Sequence, residues 1–173
     1  MAEASRRAAR RPPKGGLPNA VFVAAGVEML PHELAGRADL VTVRFPWGSL
    51  LRGALGLDVP AAAAIARLVA PTGALEMAVS VQDRDAVGPG RSAGPFGDRD
   101  IERIRRAYAG LGLELCDVRP LGLEDLTDLH SSWARRLRVD RDRVAWVLRL
   151  ELPGRRLASA DPAQNVKTTT NQA

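Results

Sequence analysis

Short apolar segments alternate with helical patterns along the 173 residues of this chain. The apolar runs predict strands at 20–25, 39–45, 75–81, 113–118 and 144–150, and the helical patterns predict helices at 2–10, 50–55, 60–69 and 98–111. Strands that alternate with helices indicate an α/β fold with an open, largely parallel sheet. The last two strands are joined by an arginine-rich segment, and we expect them to pair antiparallel at one edge.

The segment 44–53 ends one of these strands and starts a helix. Pro46 stops the strand because proline has no N–H to donate to a neighbour. Trp47 is therefore predicted in a turn at the carboxyl end of a strand, which is the edge where open α/β sheets bind ligands. A tryptophan there is either a hydrophobic plug or a platform for a flat ligand. Trp133 has similar surroundings, with serines before it and arginines after it, so the two rings suggest a slot for a nucleobase.

The chain is basic, with a formal net charge of +5 and an excess that is almost entirely arginine. Such a balance favours an anionic partner, and nucleic acid is the usual one. A solvated surface in a protein rich in Arg and Ala explains the charge equally well. A basic cluster surrounds the end of the first predicted helix, where a frayed, solvated terminus is the simplest interpretation of the residues alone. It consists of Arg6, Arg7, Arg10, Arg11 and Lys14.

Cys116 is the only cysteine, which excludes an intrachain disulfide and favours a reducing compartment. It lies in an alternating strand pattern, so we predict a buried structural thiol. No stretch approaches the roughly 18 apolar residues of a membrane span, and the start of the chain does not have the apolar core of a signal peptide. These features predict a soluble, cytoplasmic protein without a metal site or a membrane contact. The polar residues 153–173 are predicted to form a disordered tail.

Two motifs resemble one enzyme family. FPWGSLLRG at 45–53 and SSWARRL at 131–137 are similar to segments of the 16S rRNA (adenine(1408)-N1)-methyltransferases, which confer aminoglycoside resistance. The segments 14–19 and 27–31 also resemble that family, and the likeness runs from residue 1 to about 150. The resemblance implies a Rossmann-like sheet that binds S-adenosylmethionine, with 1–152 as a partial methyltransferase domain that acts as a monomer.

The resemblance also implies roles for individual residues. Trp47 and Trp133 would stack on the two faces of the target adenine after it is flipped out of the RNA helix. Ser131 would help to position S-adenosylmethionine near the reacting nitrogen. Val27, Glu28, Pro46 and Trp47 would line the cofactor, although Glu28 by itself is explained as a helix cap near Pro31. The residues expected to contact 16S rRNA in the small ribosomal subunit are Arg6, Arg7, Arg10, Arg11, Lys14, Arg136, Arg141 and Arg143.

One departure from the family is large. Its members have a glycine-rich turn of the Asp-x-Gly-x-Gly type for the methionine end of the cofactor, and a second strand that ends in an acidic residue for the ribose. This sequence contains neither, so the first two strands of the sheet are expected to be missing, with a gap of about 10 Å between strands 20–25 and 39–45.

We therefore expect an N-terminally truncated product or a start site assigned too late, and weak binding of S-adenosylmethionine by this chain. Two alternatives stay open. The first is a catalytically inactive, rRNA-binding remnant, and the second is a small-molecule methyltransferase-like domain.

Overall fold

The computed structural model describes residues 2–17, 19–20, 22–81, 95–122 and 144–153. Single turns of 3-10 helix lie at Pro12–Lys14, Val27–Met29 and His32–Leu34. The regular elements are α1 (Ala2–Ala8), β1 (Ala38–Arg44), α2 (Gly48–Ala54), α3 (Val59–Ala66), β2 (Val69–Val79), α4 (Asp98–Ala109), β3 (Glu114–Pro120) and β4 (Trp146–Glu151).

The four strands of the described ranges form one mixed sheet in the order β1-β2-β4-β3. β1 and β2 are parallel, and β4 is antiparallel to both of its neighbours. This confirms the predicted α/β class and the antiparallel pairing of the last two strands at one edge. The order also shows that β4, the last strand in the chain, is inserted between β2 and β3.

The core lies between one face of the sheet and helices α2, α3 and α4. Leu75 and Met77 of β2 and Leu148 and Leu150 of β4 alternate onto this face and are fully buried. Tyr108 of α4 is also fully buried, and its hydroxyl donates a hydrogen bond to the carbonyl oxygen of Gly53 over 3.2 Å. Burial raises the pKa of the Tyr108 hydroxyl well above its ordinary value.

The opposite face carries a row of polar residues that crosses all four strands. Thr42, Glu76, Arg149 and Asp117 are paired in register. Arg149 Nη1 lies 3.8 Å from Glu76 Oε2, and its Nε donates to Glu151 Oε1 over 2.8 Å. The Glu151 side chain is only 1% exposed, and its Oε2 has no hydrogen-bond partner among the described residues. Arg149 is thus the counter-ion of a buried carboxylate.

The predicted strand at 20–25 is wrong. Its described residues form no regular element, and Phe22 and Val23 are 41% and 50% exposed. A strand exists only where a neighbour accepts its backbone hydrogen bonds. In the described sheet β1 pairs with β2 alone, so this apolar run finds no partner strand.

Two smaller predictions also need correction. The helix expected near Pro31 is a single turn at His32–Leu34, so Glu28 has no α-helix to cap. Cys116 is exposed, because a bulge between Leu115 and Asp117 interrupts the alternation of β3. Partial burial of the sulfur and then the Glu151 carboxylate raise the pKa of the Cys116 thiol, so it is not an activated nucleophile.

Candidate functional site at the carboxyl edge of the sheet

Four strand ends meet at one edge of the sheet. β1, β2 and β3 run in the same direction, and β4 runs against them. Arg44 pairs with Ala78, and Trp146, the first residue of β4, pairs with Val79 and Pro120. The carboxyl ends of three strands therefore lie beside the amino end of the fourth, which is where open α/β sheets bind ligands.

The turn after β1 places Trp47 at this edge. Phe45 is 4% exposed although its φ of 48° lies in the left-handed region, and Gly48 follows with a φ of 61°. A bulky residue with positive φ costs on the order of 1–3 kcal/mol, and such strain is concentrated at functional sites. The turn buries Phe45 and Pro46 and leaves Trp47 79% exposed. A hydrophobic plug would be buried, so the exposed ring favours the platform interpretation.

The segment that carries the second tryptophan is attached to the same edge at both ends. The N–H of Leu121, just after β3, donates to the carbonyl oxygen of Ala145, just before β4, over 2.9 Å. Trp133 lies between these points in the chain, but Trp133, Ser131, Arg136, Arg141 and Arg143 are all outside the described residues. β4 is two strand spacings, or about 10 Å, from the strand that leads to Trp47.

Val27 and Glu28 lie in a 3-10 turn that packs against α3. Val27 is half-buried against the core, and Glu28 is exposed. Arg67, which follows α3, holds this region by donating from Nη2 to the carbonyl oxygen of Leu30 over 2.8 Å. No hydrogen bond between described residues joins this turn to Trp47. The cofactor-binding role of Val27 and Glu28 therefore stays a prediction.

The basic cluster at the start of the chain is built on a folded unit. The chain turns back after α1, and the N–H of Leu17 donates to the carbonyl oxygen of Ala8 over 2.9 Å. Gly16 passes so close to the backbone of Arg10 that a Cβ would lie 1.7 Å from its carbonyl oxygen. All five basic side chains are exposed, namely Arg6, Arg7, Arg10, Arg11 and Lys14. They therefore form a basic surface that is exposed to solvent. The segment is folded as a helix and a turn, which differs from the frayed terminus that the residues alone suggested.

In the described part of the chain, no set of three or more His, Cys, Asp or Glu side chains is arranged to hold a metal ion. No single helix there has the length and apolar composition of a membrane span. Helices α2 and α3 pass that test only as a pair, with a bend of 75° between them, and both contribute residues to the core.

Comparison with known proteins decides the family. Residues 1–152 match the family model NpmA, described as 16S rRNA (adenine(1408)-N(1))-methyltransferase. The chain belongs to this family. A curated NpmA-family relative, the 16S rRNA (adenine(1408)-N(1))-methyltransferase of Streptoalloteichus hindustanus, is 37% identical over 145 residues. That match covers 83% of this chain and 66% of the relative, so the chain spans just under two thirds of that protein.

Solved structures of 16S rRNA methyltransferases share the fold. The 16S rRNA methyltransferase KamB superposes with a TM-score of 0.74 at 35% identity, over 88% of this chain and 72% of KamB. The enzyme of Catenulisporales acidiphilia, a mutant solved with the cosubstrate SAM, gives a TM-score of 0.72 at 32% identity, over 90% of this chain and 72% of that one. The α/β fold with its four-stranded sheet therefore matches that of solved methyltransferases.

Proposed function

We propose that the protein carrying this chain methylates N1 of adenine 1408 in the 16S rRNA of the small ribosomal subunit. S-adenosylmethionine would be the methyl donor, the protein would act as a monomer in the cytoplasm, and the modification would give aminoglycoside resistance. The observation that carries the proposal is the exposed ring of Trp47 at the carboxyl edge of the sheet. Membership of the NpmA family supplies the substrate and the reaction.

Base flipping explains why an exposed tryptophan is needed. N1 lies on the Watson–Crick edge of adenine, so the base must leave the RNA helix before N1 can react, at a cost of a few kcal/mol. Stacking on an aromatic side chain returns about 1–3 kcal/mol per base. We infer that Trp47 stacks on one face of the flipped adenine and Trp133 on the other. The attachment of the Trp133 segment at Leu121 and Ala145 supports this arrangement.

The basic surface is suited to the RNA backbone. Within it, Arg7 pairs with Glu3 over 3.2 Å, and both side chains are largely exposed. Exposed pairs of this kind contribute little and exchange readily with other partners. We infer that this surface binds rRNA phosphates, together with Arg136, Arg141 and Arg143. Binding through released counter-ions makes the affinity fall steeply with salt.

The residues present fit only one side of a cofactor site. Pro46 and Trp47 give an apolar wall at the sheet edge, and Ser131, Val27 and Glu28 are the other residues expected to line it. The Asp-x-Gly-x-Gly turn that would hold the methionine end does not occur in the sequence. S-adenosylmethionine, when bound, supplies an electrophilic methyl group, and the chain's own contribution is to orient N1 and exclude water around it.

RNA binding without methylation is the second candidate function. The exposed Trp47 and the exposed basic surface favour it, because neither needs a cofactor to bind RNA. The two functions differ in a single measurable product. Methylated N1 blocks Watson–Crick pairing and therefore stops reverse transcriptase at that base.

Primer extension on small-subunit RNA tests the proposal. Cells would express the 173-residue chain or a version extended upstream in the same reading frame. A stop at adenine 1408 with either protein supports the methyltransferase. No stop with either, together with salt-sensitive binding of a decoding-site hairpin, supports the RNA-binding alternative. Neither a stop nor binding overturns both.

The role of the basic surface has its own control. Arg6→Glu with Arg10→Glu should weaken hairpin binding and reduce its dependence on salt. Arg105→Glu is the control, because it changes the charge by the same amount per residue on the exposed side of α4, outside the basic surface. It should have little effect on hairpin binding. Equal losses per substituted charge from both changes would mean that only net charge matters.

A further inference from the structure

The face of the sheet opposite the core is ordered by charge along the strands. Residues paired in register form rows that cross all four strands and point to this same face. The row nearest the carboxyl edge is Arg44, Ala78, Val147 and Arg119, and the row nearest the other edge, where β1 and β3 begin, is Leu40, Ala74, Glu151 and Glu114. The first of these rows carries two arginines and the second carries two glutamates. This face is therefore positive at the edge that holds Trp47 and negative at the opposite edge.

The two arginines of the first row, called the edge arginines below, lie on the two outer strands of the described sheet. Arg44 is the last residue of β1, and Arg119 is the last but one of β3. Both are exposed, whereas Ala78 and Val147 between them are 4% and 7% exposed. Three strand spacings put the two arginine backbones about 14 Å apart. This separation corresponds to a few nucleotides along an RNA strand.

Arg44 is close to the proposed base platform. Trp47 follows it by three residues, which limits the distance between their backbones to about 11 Å. Arg44 points to the face opposite the core, so it lies beside the edge and not behind the helices. A nucleotide stacked on Trp47 would bring the phosphates of its own strand into this region. Contacts to phosphates fix the position of a nucleic acid on a protein.

The printed geometry of Arg119 leaves it available to an anion. Its Nε lies 3.7 Å from Asp117 Oδ2, with the two side chains 47% and 51% exposed. An exposed pair of this kind contributes little and exchanges readily with other partners. A guanidinium can donate two parallel hydrogen bonds to a phosphate, which is a stronger interaction than this long ion pair.

We propose that Arg44 and Arg119 bind phosphates of the RNA strand that carries the target adenine. This phosphate site is separate from the basic surface around α1, and the glutamates at the other end of the face direct the RNA away from that end. The inference rests on the proposed function, in which the target base stacks on Trp47. The edge arginines hold the RNA backbone and take no part in the chemistry at N1.

Salt titrations of hairpin binding test the proposal with the 173-residue protein. Arg44→Gln and Arg119→Gln should each weaken binding of a decoding-site hairpin. Each should also reduce the slope of log affinity against log salt by about 0.7–0.9, because one phosphate contact is lost. The double variant should lose about twice as much slope. Arg44→Lys should keep the wild-type slope, because it keeps the charge.

Arg37→Gln is the matched control. Arg37 is exposed and lies just before β1, so it is at the opposite edge of the sheet, about 23 Å along the same strand from Arg44. The change removes the same charge and should leave the slope unaltered. Melting temperatures show whether each variant is folded, and Arg119→Gln decides the matter if Arg44→Gln is not.

A second RNA separates the phosphate site from the base platform. On a hairpin that is abasic at the target position, the edge variants should lose the same factor in affinity as on the intact hairpin, because phosphate contacts do not depend on the base. Trp47→Ala should lose affinity only for the intact hairpin. Edge variants that lose affinity only for the intact hairpin would overturn the assignment of these arginines to phosphates.

The remaining outcomes separate this inference from the function beneath it. Wild-type protein that does not bind the hairpin overturns the proposed RNA binding and the phosphate site together. Steeply salt-dependent wild-type binding with unchanged slopes in both edge variants overturns only the phosphate site. A loss with Arg37→Gln equal to that with Arg44→Gln also overturns it, since net charge alone would then explain the effect.

Discussion

The backbone N–H of Phe45 donates a hydrogen bond to the carbonyl oxygen of Ala78 over 2.7 Å. This bond extends the pairing of β1 with β2 one residue beyond Arg44, where the strand ends. The chain then turns sharply, because Phe45 adopts a φ of 48° and Pro46 cannot donate to β2. The consequence is a buried phenylalanine two residues from a tryptophan that is 79% exposed.

Replacing Trp47 with alanine should affect RNA binding and leave stability unchanged. The indole is largely exposed, so its removal takes little apolar surface out of the core. Loss of one stacking face should weaken binding of a decoding-site hairpin by about 1–3 kcal/mol. Fluorescence of 2-aminopurine at the target position would report the lost stacking, and thermal unfolding would report stability.

Trp47→Phe provides the graded control for that change. A smaller ring should keep part of the stacking and give an intermediate affinity. If alanine and phenylalanine both bind as tightly as the wild-type protein, Trp47 is not a base platform and the proposed site is wrong.

Gly48→Ala should destabilise the fold through backbone strain alone. The φ of Gly48 is 61°, and no atom lies within 4 Å of a Cβ built there. A left-handed conformation costs an alanine about 1–2 kcal/mol. Gly26→Ala is the control, because its φ of −65° is ordinary and the nearest atom is the flexible Glu28 carboxylate at 3.1 Å. Urea unfolding should show a loss only for Gly48→Ala, and equal midpoints for the two variants would contradict the strained turn.

Arg149→Gln should be strongly destabilising. It removes the described counter-ion of Glu151, whose side chain is 1% exposed, and a carboxylate left buried without its partner costs about 3–5 kcal/mol. Arg105→Gln breaks a pair with Glu102 that is about half exposed, at a cost below about 1 kcal/mol. The difference between the two free energies of unfolding is the test. Adding Glu151→Gln to the first variant should restore part of the loss.

The buried hydroxyl of Tyr108 predicts a loss of stability at alkaline pH. Its pKa is raised by burial, so above about pH 10 the unfolded chain releases the proton while the folded chain keeps it. The unfolded state then binds fewer protons, and the free energy of unfolding falls as pH rises. Tyr108→Phe should cost about 1 kcal/mol near pH 7 through the lost bond to Gly53 and should flatten this alkaline fall.

The alkaline experiment needs a Cys116→Ala background. The pKa of the Cys116 thiol is also raised, which adds a loss of the same sign. Urea midpoints of the two proteins, measured from about pH 8 to about pH 11, give the comparison. An alkaline fall that is just as steep with phenylalanine at position 108 would assign it to other groups.

Part of the candidate site could be predicted from local chemistry. Proline at position 46 ends a strand wherever that strand lies, and this places Trp47 in a turn at its carboxyl end. No feature of the sequence other than Pro46, which follows it, indicated that Phe45 would adopt a strained φ. The contacts of Phe96 with Trp146 and of Ser80 with Val144, at the same edge of the sheet, had no signal in the sequence, because these partners lie 50 and 64 residues apart in the chain.

The sequence by itself determined which segments become strands and helices in most of the described chain, because apolar periodicity, prolines and glycines act on neighbouring residues. Only the tertiary structure decided that β4 enters between β2 and β3, that Glu151 is buried against Arg149, and that the described residues of 20–25 form no strand. Each of these outcomes depends on which distant segment supplies a hydrogen bond or a counter-charge. No local pattern carries that information, since the partner is chosen when the whole sheet assembles.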